Sequence, residues 1–312
     1  MNANIKIIDL GKNEIDNSPK CVSLGNFDGI HIGHQKLMKT NITLSNKENL
    51  TPAVLLFKEN SKMILSDETD YITNLDDKIE FLSDMGIDTF CLIDFTDAFR
   101  SLSPEEFISK ILVDKLNAKA VVVGIDYKFG KYAAGNVDTL KSLEEKYAYK
   151  THVVDFEVDG DYKISSRTIR EDIRKGKINL ANKYLGRPYK IKGKVIHGYK
   201  RGRKLNFPTA NLATDFSYVI PIDGVYLTRV TIDDDKYFAL TNIGKNPTFE
   251  NQERRIETYI LDFNKDIYGR EISIEFLEFF RGDFKFNSVD ELIEQMEMDK
   301  KLAYEVIENK YL

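Results

Sequence analysis

The 312-residue sequence lacks several features that would each indicate a particular class of protein. It has no run of ~18 apolar residues that could span a bilayer, and its first residues lack the apolar core of a signal peptide. Its net charge of −5 argues against general binding to nucleic acid or to a membrane surface. We therefore expect a cytoplasmic protein that has neither of these partners.

Cysteine and histidine are both scarce. The two cysteines, Cys21 and Cys91, each lie in or beside an apolar run, so we expect buried free thiols, which fit a reducing compartment. Of the four histidines, His31 and His34 lie three positions apart. The chain has no matching Cys or His pair that could complete a structural zinc site with them, so such a site is not expected.

The first half of the chain alternates between strand-like runs and helical patterns. This alternation is typical of βαβ units and a parallel sheet covered by helices on both faces. The predicted strands are Val22–Leu24, Ala53–Phe57, Thr89–Ile93, Ala120–Gly124 and Thr151–Phe156. The predicted helices are His34–Ser45, Asp76–Met85, Pro104–Leu116 and Asp138–Tyr147. In such a sheet, ligands bind beyond the carboxyl ends of the strands.

A glycine-rich turn connects the first predicted strand to the first helix. Its glycines are Gly25, Gly29 and Gly33, and the N–H groups at the start of the following helix suit a phosphate group. His31 and His34 could donate hydrogen bonds to phosphate oxygens as neutral imidazoles, or they could satisfy the backbone of the turn, and the residue types leave both alternatives open. A second loop, from Gly124 to Gly130, follows the fourth strand and is expected to face the same cleft.

A third loop, Ile164-Ser-Ser-Arg-Thr-Ile-Arg170, precedes a short predicted helix at Glu171–Lys175. Hydroxyl groups at the start of a helix, with an arginine one turn further on, also suit an anion. Simple capping of the helix by Ser165 or Ser166 is the alternative that the residues alone favour. The position of this loop after the last strand of the same sheet is what makes it a candidate site.

The second half of the chain has a different pattern, which begins near residues 182–188 after a short helix at Asn179–Leu185. Alternating runs separated by turns predict a small antiparallel barrel. These runs are Tyr189–Ile196, Val225–Ile232, Tyr237–Ile243, Arg255–Asp262 and Glu271–Phe279. A final helix is predicted at Ser288–Lys310. Its apolar stripe would consist of Val289, Leu292, Ile293, Met296 and Leu302.

A basic, glycine-containing stretch from Gly198 to Lys204 leads into Phe207-Pro-Thr-Ala-Asn211. Such a loop could wrap a polyphosphate, although a solvated basic loop is the more common outcome. Thr209 and Asn211 are two positions apart, so on an extended backbone they point the same way. Their oxygens are hard ligands suited to Mg²⁺ that is also held by nucleotide phosphates.

Glu257 is the remaining candidate for chemistry. Alternation along Arg255–Leu261 places Glu257 and Tyr259 on one face and Ile256 and Thr258 on the other. Because both faces carry apolar residues, Glu257 is expected to be partly buried. A carboxylate in that position near a magnesium-phosphate site could accept a proton from an attacking hydroxyl group, and a surface glutamate on an edge strand is the alternative.

Gly25-Asn-Phe-Asp-Gly-Ile-His-Ile-Gly-His34 resembles the G-x-F-D-G-x-H-x-G-H signature of a known family. This family is the prokaryotic bifunctional riboflavin kinase/FMN adenylyltransferases, also called FAD synthetases. The resemblance covers essentially the whole chain. It continues through Leu102–Phe107, Gly124–Gly130, Leu185–Tyr189, Phe207–Asn211, Asp223–Tyr226, Asn242–Phe249 and Glu257–Phe263.

The resemblance implies a two-domain enzyme that makes FAD. A Rossmann-like nucleotidylyltransferase domain at 1–184 would transfer AMP from ATP to FMN, and a β-barrel domain at 185–312 would transfer the γ-phosphoryl group of ATP to riboflavin. Glu257 would be the base of the kinase, and Thr209 and Asn211 would hold Mg²⁺. His31 and His34 would act in adenylyl transfer. The remaining residues that the resemblance assigns to nucleotide and phosphate binding are Gly25, Phe27, Asp28, Gly29, Gly33, Asn60, Asp126, Ser166, Arg170, Gly198, Lys204 and Pro208.

Two other functions remain as alternatives at this stage. The family usually has Phe-x-Pro-His-Pro after its second strand, whereas here Phe57 is followed by Lys-Glu-Asn60, and Arg167 stands where threonine is common. A riboflavin kinase with a weakened adenylyltransferase domain is therefore one alternative. A flavin- or nucleotide-binding regulator without turnover is the other, and the combination of Thr209, Asn211 and Glu257 argues against it because a binding protein needs no base.

Overall fold

The computed structural model describes residues 5–12, 14, 16–58, 70–198, 207–245 and 254–312. The chain forms two compact units, Met1–Ser166 and Arg167–Leu312, and each is described here by itself. Within the ranges described, no helix is both long enough and apolar enough to cross a membrane.

The first unit is an α/β domain. Its strands are β1 (Lys6–Asp9), β2 (Lys20–Leu24), β3 (Thr51–Phe57), β4 (Thr89–Ile93), β5 (Ala118–Gly124), β6 (Lys150–Val154), β7 (Val158–Asp159) and β8 (Tyr162–Lys163). Its helices are α1 (Ile32–Glu48), α2 (Leu75–Asp84), α3 (Asp97–Arg100), α4 (Pro104–Glu106), α5 (Val137–Ser142) and α6 (Glu144–Tyr147). Helix α4 continues as a π-helix, Phe107–Lys115, and 3₁₀ turns lie at Leu10–Lys12 and Lys131–Ala133.

The predicted parallel sheet is confirmed. Six strands lie in the order β1-β4-β3-β2-β5-β6, and every pair is parallel. Successive residues of the central strands enter two separate apolar clusters, one on each face, as period-2 alternation requires. Because β2 has β3 on one side and β5 on the other, the loops that follow β2 and β5 leave the sheet next to each other.

A buried polar side chain joins α1 to the centre of this sheet. Asn41 is fully buried, and its Nδ2 lies 2.9 Å from the carbonyl oxygen of Cys21, 3.0 Å from that of Ala53 and 2.8 Å from Oγ of Ser23. A buried acceptor that loses its donor incurs its full desolvation cost. The amide of Asn41 therefore sets the position of α1 on strands β2 and β3.

We expect Asn41→Leu to lower the free energy of unfolding of the protein by about 3 kcal/mol, because it leaves these buried acceptors without a donor. Urea denaturation followed by circular dichroism measures the change. Thr43→Ala, on the exposed side of the same helix, is the matched control and should change stability by less than ~0.5 kcal/mol. Equal stability of the Asn41→Leu and control proteins would contradict this role.

Some predicted elements of the first unit differ from those observed. The predicted helix Asp138–Tyr147 is two helices, because Leu143 leaves the helical region between them. The third predicted helix becomes a π-helix after Glu106. Strands β1, β7 and β8 were not predicted, since each is very short and forms by pairing with a neighbour that the local pattern does not reveal.

The second unit is the predicted antiparallel barrel with a terminal helix. Helix α7 (Ser166–Arg174) spans the junction of the two units, and α8 (Ile178–Leu185) follows it. The barrel strands are β9 (Tyr189–Ile196), β10 (Ala210–Ala213), β11 (Gly224–Ile232), β12 (Asp235–Lys245), β13 (Arg254–Ile260) and β14 (Glu271–Gly282), and the last helix is α9 (Val289–Lys310). They close in the order β10-β13-β12-β11-β14-β9. Helix α7 starts five residues before the predicted Glu171, because Ser-Ser-Arg-Thr has weak helix propensity and was read as a loop.

Helix α9 packs on the outer face of the barrel. Ala303 and Ile307 contact a cluster that includes Leu227 and Leu277 of strands β11 and β14. The predicted stripe is wrong at Val289 and Leu302, which are exposed. Asp299 is buried instead, because Arg281 of β14 pairs with its carboxylate at 2.7 Å. A tertiary ion pair therefore sets which side of the helix faces the barrel.

Candidate functional site

The turn after β2 has an unusual backbone. Phe27 and Ile30 have φ angles of 49° and 40°, and Gly29 has a φ of 78°. Residues other than glycine adopt such angles at a cost of ~1–3 kcal/mol, and they do so mainly where the surrounding structure holds them in place. Gly25 is required for a different reason, because a Cβ atom there would lie 2.8 Å from the ring of Phe27.

The two histidines of the turn are in direct contact. The imidazole rings of His31 and His34 stack with centroids 3.7 Å apart, and the ring of Phe27 meets His34 edge-on at 5.2 Å. His31 occupies the N-cap position of α1, and a Cβ atom at Gly33 would lie 3.2 Å from its Nδ1. Both imidazoles thus lie at the start of α1, where the helix dipole and the first N–H groups favour an anion.

Asp28 and Ser166 connect this turn to other parts of the unit. Asp28 is buried, and its Oδ1 accepts hydrogen bonds from the backbone N–H groups of Ile72 and Thr73 at 3.0 and 3.2 Å. Ser166, the first residue of α7, donates from its hydroxyl to the carbonyl oxygen of Asp28 at 2.8 Å. The Asp28 carboxylate therefore takes part in shaping the turn, and the hydroxyl group of Ser166 holds the backbone carbonyl of the same residue.

The loop after β5 and the β7–β8 hairpin lie at the same edge of the sheet. Asp126 is exposed and forms an ion pair with Lys163 at 3.6 Å. Glu157, which precedes the hairpin, forms an ion pair with Lys36 of α1 at 2.6 Å. Glu157 and Lys36 were missed by the sequence analysis, because residues 121 positions apart carry no local signal of pairing.

Lys78 of α2 was also missed. Its side chain is buried, and its Nζ donates to the carbonyl oxygen of Asn26 at 3.1 Å. Burial lowers the pKa of Lys78, and the nearby carboxylate of Asp28 acts in the opposite direction. The sequence did contain a signal, because Lys78 is three residues after Leu75 and four before Leu82, on the buried stripe of its helix.

In the barrel unit, two of the candidate polar side chains and a third polar side chain form one row across neighbouring strands. Glu257 of β13 pairs in register with Asn211 of β10 on one side and with Asn242 of β12 on the other. Directly paired residues project from the same face of a sheet. Asn242 was not predicted as a site residue, although its alternation with the buried Ile243 already placed it on the outer face.

The row lies on the outer face of the barrel. Ile256 and Thr258, on either side of Glu257, are buried inside, whereas Glu257 itself is half-buried, as predicted. Gly198 packs against Asn211, which is at one end of the row. A Cβ atom added at Gly198 would lie 2.3 Å from Nδ2 of Asn211. Thr209 immediately precedes β10 and is half-buried, while Pro208 is exposed.

The remaining predicted site residues are Arg170, Asn60 and Lys204. Arg170 is buried on α7, one turn after Ser166. Asn60 and Lys204 lie outside the residues that the structure describes. Across the described ranges, no three His, Cys, Asp or Glu residues cluster as metal ligands would, so a metal ion here would need other oxygen donors.

Comparisons with known proteins match both halves of the chain. A family model described as FAD synthetase matches residues 13–168, and one described as riboflavin kinase matches residues 185–307. Curated relatives named "Bifunctional riboflavin kinase/FMN adenylyltransferase" include that of Listeria monocytogenes, 40% identical over 289 residues and 90% of each chain. The Bacillus subtilis protein of the same name is 38% identical over 294 residues and 92% of each chain.

A solved structure is similar over nearly the whole length. The crystal structure titled "Macrolide-efflux Protein from Streptococcus pneumoniae" has a TM-score of 0.88 and 36% sequence identity. The similarity covers 96% of this chain and 99% of that one. Both units of the fold are therefore shared with that protein.

Proposed function

This chain belongs to the family of bifunctional riboflavin kinase/FMN adenylyltransferases, and from that membership we propose that it converts riboflavin into FAD in two ATP-dependent steps. The barrel unit phosphorylates riboflavin to FMN, and the α/β unit joins FMN to AMP. We assign adenylyl transfer to residues 1–184 and the kinase to 185–312. The ranges matched by the two family models support this division.

The row of Asn211, Glu257 and Asn242 carries the kinase proposal. Glu257 accepts the proton of the terminal hydroxyl group of riboflavin while that oxygen forms a bond to the γ-phosphorus of ATP, and ADP leaves with the electrons of the broken P–O bond. A half-buried carboxylate that lies in register between two amide side chains is suited to this role, because it is held in place beside the proposed magnesium-phosphate site.

Thr209 and Asn211 fit a magnesium ion that ATP phosphates also hold. Both supply neutral oxygen atoms. Glycine at position 198 lets the amide group of Asn211 pack directly against the backbone, since a Cβ atom there would lie 2.3 Å from its Nδ2. When bound, Mg²⁺ would neutralise charge on the transferring phosphoryl group. Gly198, Lys204 and Pro208 keep the roles in nucleotide binding that the resemblance predicts.

In the α/β unit, a phosphate oxygen of FMN attacks the α-phosphorus of ATP, and pyrophosphate leaves. His31 and His34 donate hydrogen bonds to phosphate oxygens on which charge accumulates. Gly25, Phe27, Asp28, Gly29 and Gly33 give the turn its shape. Asn60, Asp126, Ser166 and Arg170 keep the phosphate-binding roles that the resemblance predicts.

One assay separates this proposal from its alternatives. Purified protein is incubated with riboflavin, ATP and Mg²⁺, and the flavins are resolved by chromatography. Accumulation of FAD supports the proposal. FMN without FAD would favour a kinase with a weakened adenylyltransferase domain. The observation that supports this alternative is that Phe57 is not followed by the Pro-His-Pro sequence of the family. Unchanged riboflavin would favour a regulator without turnover.

We expect Asn211→Ala to raise the Mg²⁺ concentration needed for half-maximal FMN formation by about tenfold, since it removes one oxygen ligand. Excess chelator should abolish FMN formation in both proteins, and added Mg²⁺ should restore it. The measurement is the rate of FMN formation across a magnesium titration. Lys194→Ala, at an exposed position on the adjacent strand β9, is the control. An unchanged magnesium dependence would rule out Asn211 as a ligand.

We also assign the enzyme to the cytoplasm. Cys21 and Cys91 are free and buried, and burial raises the pKa of both thiols to about 12. Protonated, inaccessible thiols of this kind suit a protein that works in a reducing compartment.

A further inference from the structure

We propose that Lys78 is a positioning residue for adenylyl transfer, which holds the backbone of the turn that carries His31 and His34. This inference rests on the function proposed above for the α/β unit. It concerns a residue that acts through the carbonyl group of Asn26.

The burial of Lys78 needs an explanation. Lysine is almost never fully buried unless it is paired, because removing an ammonium group from water is costly. Lys78 is 4% exposed, and its Nζ lies 3.1 Å from the carbonyl oxygen of Asn26. Helix α2 could have had leucine at this position of its apolar stripe, with no such cost. The ammonium group is therefore retained because it holds the carbonyl group of Asn26 in place.

The bond to Asn26 acts on one of the strained positions of the turn. The carbonyl group of Asn26 and the N–H group of Phe27 belong to the same peptide plane. Fixing that carbonyl group therefore fixes the plane from which the unusual φ angle of Phe27, 49°, is measured. A backbone in this region persists only where its surroundings hold it.

The same part of the structure also holds the residue on the other side of Phe27. Ile72 and Thr73, just before α2, donate their backbone N–H groups to the buried carboxylate of Asp28. Helix α2 and the segment that leads into it thus hold positions 26 and 28. Phe27 lies between two restrained neighbours, and this arrangement explains how it keeps a positive φ angle.

The restrained ring of Phe27 in turn contacts the proposed catalytic imidazoles. It meets the ring of His34 edge-on at 5.2 Å, and His34 stacks on His31 at 3.7 Å. A contact path therefore runs from Lys78 through Asn26 and Phe27 to both histidines. Small displacements of groups that hold a substrate can cost about 10²-fold in rate.

The test compares substitutions that keep or remove the hydrogen bond to Asn26. Lys78→Met removes the donor and should lower kcat for FAD formation from FMN about 10²-fold, with KM for FMN within twofold of wild type. Lys78→Gln keeps a donor without the charge and should stay within about tenfold of wild type. Phosphorylation of riboflavin by the same molecules should be unchanged, since the barrel is a separate unit.

Lys141→Met, at an exposed position on α5, is the matched control and should leave both reactions unchanged. Equal kcat values for folded Lys78→Met and Lys78→Gln proteins would overturn the proposal, whether both were high or both were low. If Lys78→Met does not fold, Phe27→Leu tests the same path, because it keeps an apolar side chain but removes the ring that contacts His34. A kcat within threefold of wild type in that variant would equally overturn it.

These outcomes differ from a failure of the proposed function itself. If the wild-type protein forms no FAD from FMN and ATP, the assignment of adenylyl transfer fails before any variant is compared. If the wild type forms FAD and the Lys78 variants behave alike, only the role of Lys78 fails.

Discussion

The Glu257→Gln protein is expected to form FMN from riboflavin about 10³-fold more slowly than the wild type. Glutamine has nearly the same shape as glutamate, so the pairing of β13 with β10 and β12 should persist, but it cannot accept the proton of the attacking hydroxyl group. Conversion of added FMN to FAD should remain within twofold of wild type. The measurement is the initial rate of each step, with the flavins separated by chromatography.

Glu271→Gln is the matched control for this prediction. Glu271 is an exposed glutamate at the start of β14, in the same barrel, and its substitution should leave both rates unchanged. If the folded Glu257→Gln protein lost both activities, the assignment of the two reactions to two separate sites would be wrong. If it retained kinase activity, Glu257 would not be the base.

The second large effect is expected at the turn of the α/β unit. His31→Ala should lower the rate of FAD formation from FMN by ~10²–10³-fold, because it removes a donor aimed at charge that develops on phosphate oxygens. FMN formation should be unaffected. Because His31 stacks on His34, the combined His31→Ala/His34→Ala substitution should cost less than the product of the two separate effects.

Lys39→Ala is the control for the histidine substitutions, because Lys39 lies on an exposed side of the same helix, α1. The assay supplies ATP and FMN directly, so the kinase step does not limit it. Unimpaired FAD synthesis by the His31→Ala protein would contradict the role given to this residue. The His31→Ala and Glu257→Gln substitutions should each remove one reaction and leave the other in place.

Much of the fold could be predicted because its signals are local. Strand β4, Thr89–Ile93, was predicted with its observed bounds, since it consists of a β-branched threonine and a continuous apolar run between two aspartates. Five of the six barrel strands were predicted for a related reason, because period-2 alternation is visible within each run. Strand β10 was not predicted, since its four residues form a strand only by pairing with β9 and β13.

The candidate sites could be predicted only in part. Alternation placed Glu257 correctly as a half-buried residue, and glycine spacing placed His31 and His34 in a turn at the start of a helix. Neither pattern could indicate that Asn242 lies beside Glu257, because this pairing depends on the register between strands β12 and β13. The ion pair between Lys36 and Glu157 likewise joins residues from distant parts of the chain.

The sequence by itself determined the two-part architecture, the turn with its two histidines and the family to which the chain is similar. These depend on composition, periodicity and short motifs, each of which is contained in neighbouring residues. Only the tertiary structure decided which side chains meet. It stacked the two imidazoles, aligned Asn211, Glu257 and Asn242, and buried the ammonium group of Lys78 under the turn. The physical reason is that a buried charge is stable only where distant segments supply its partners, and no local pattern records those partners.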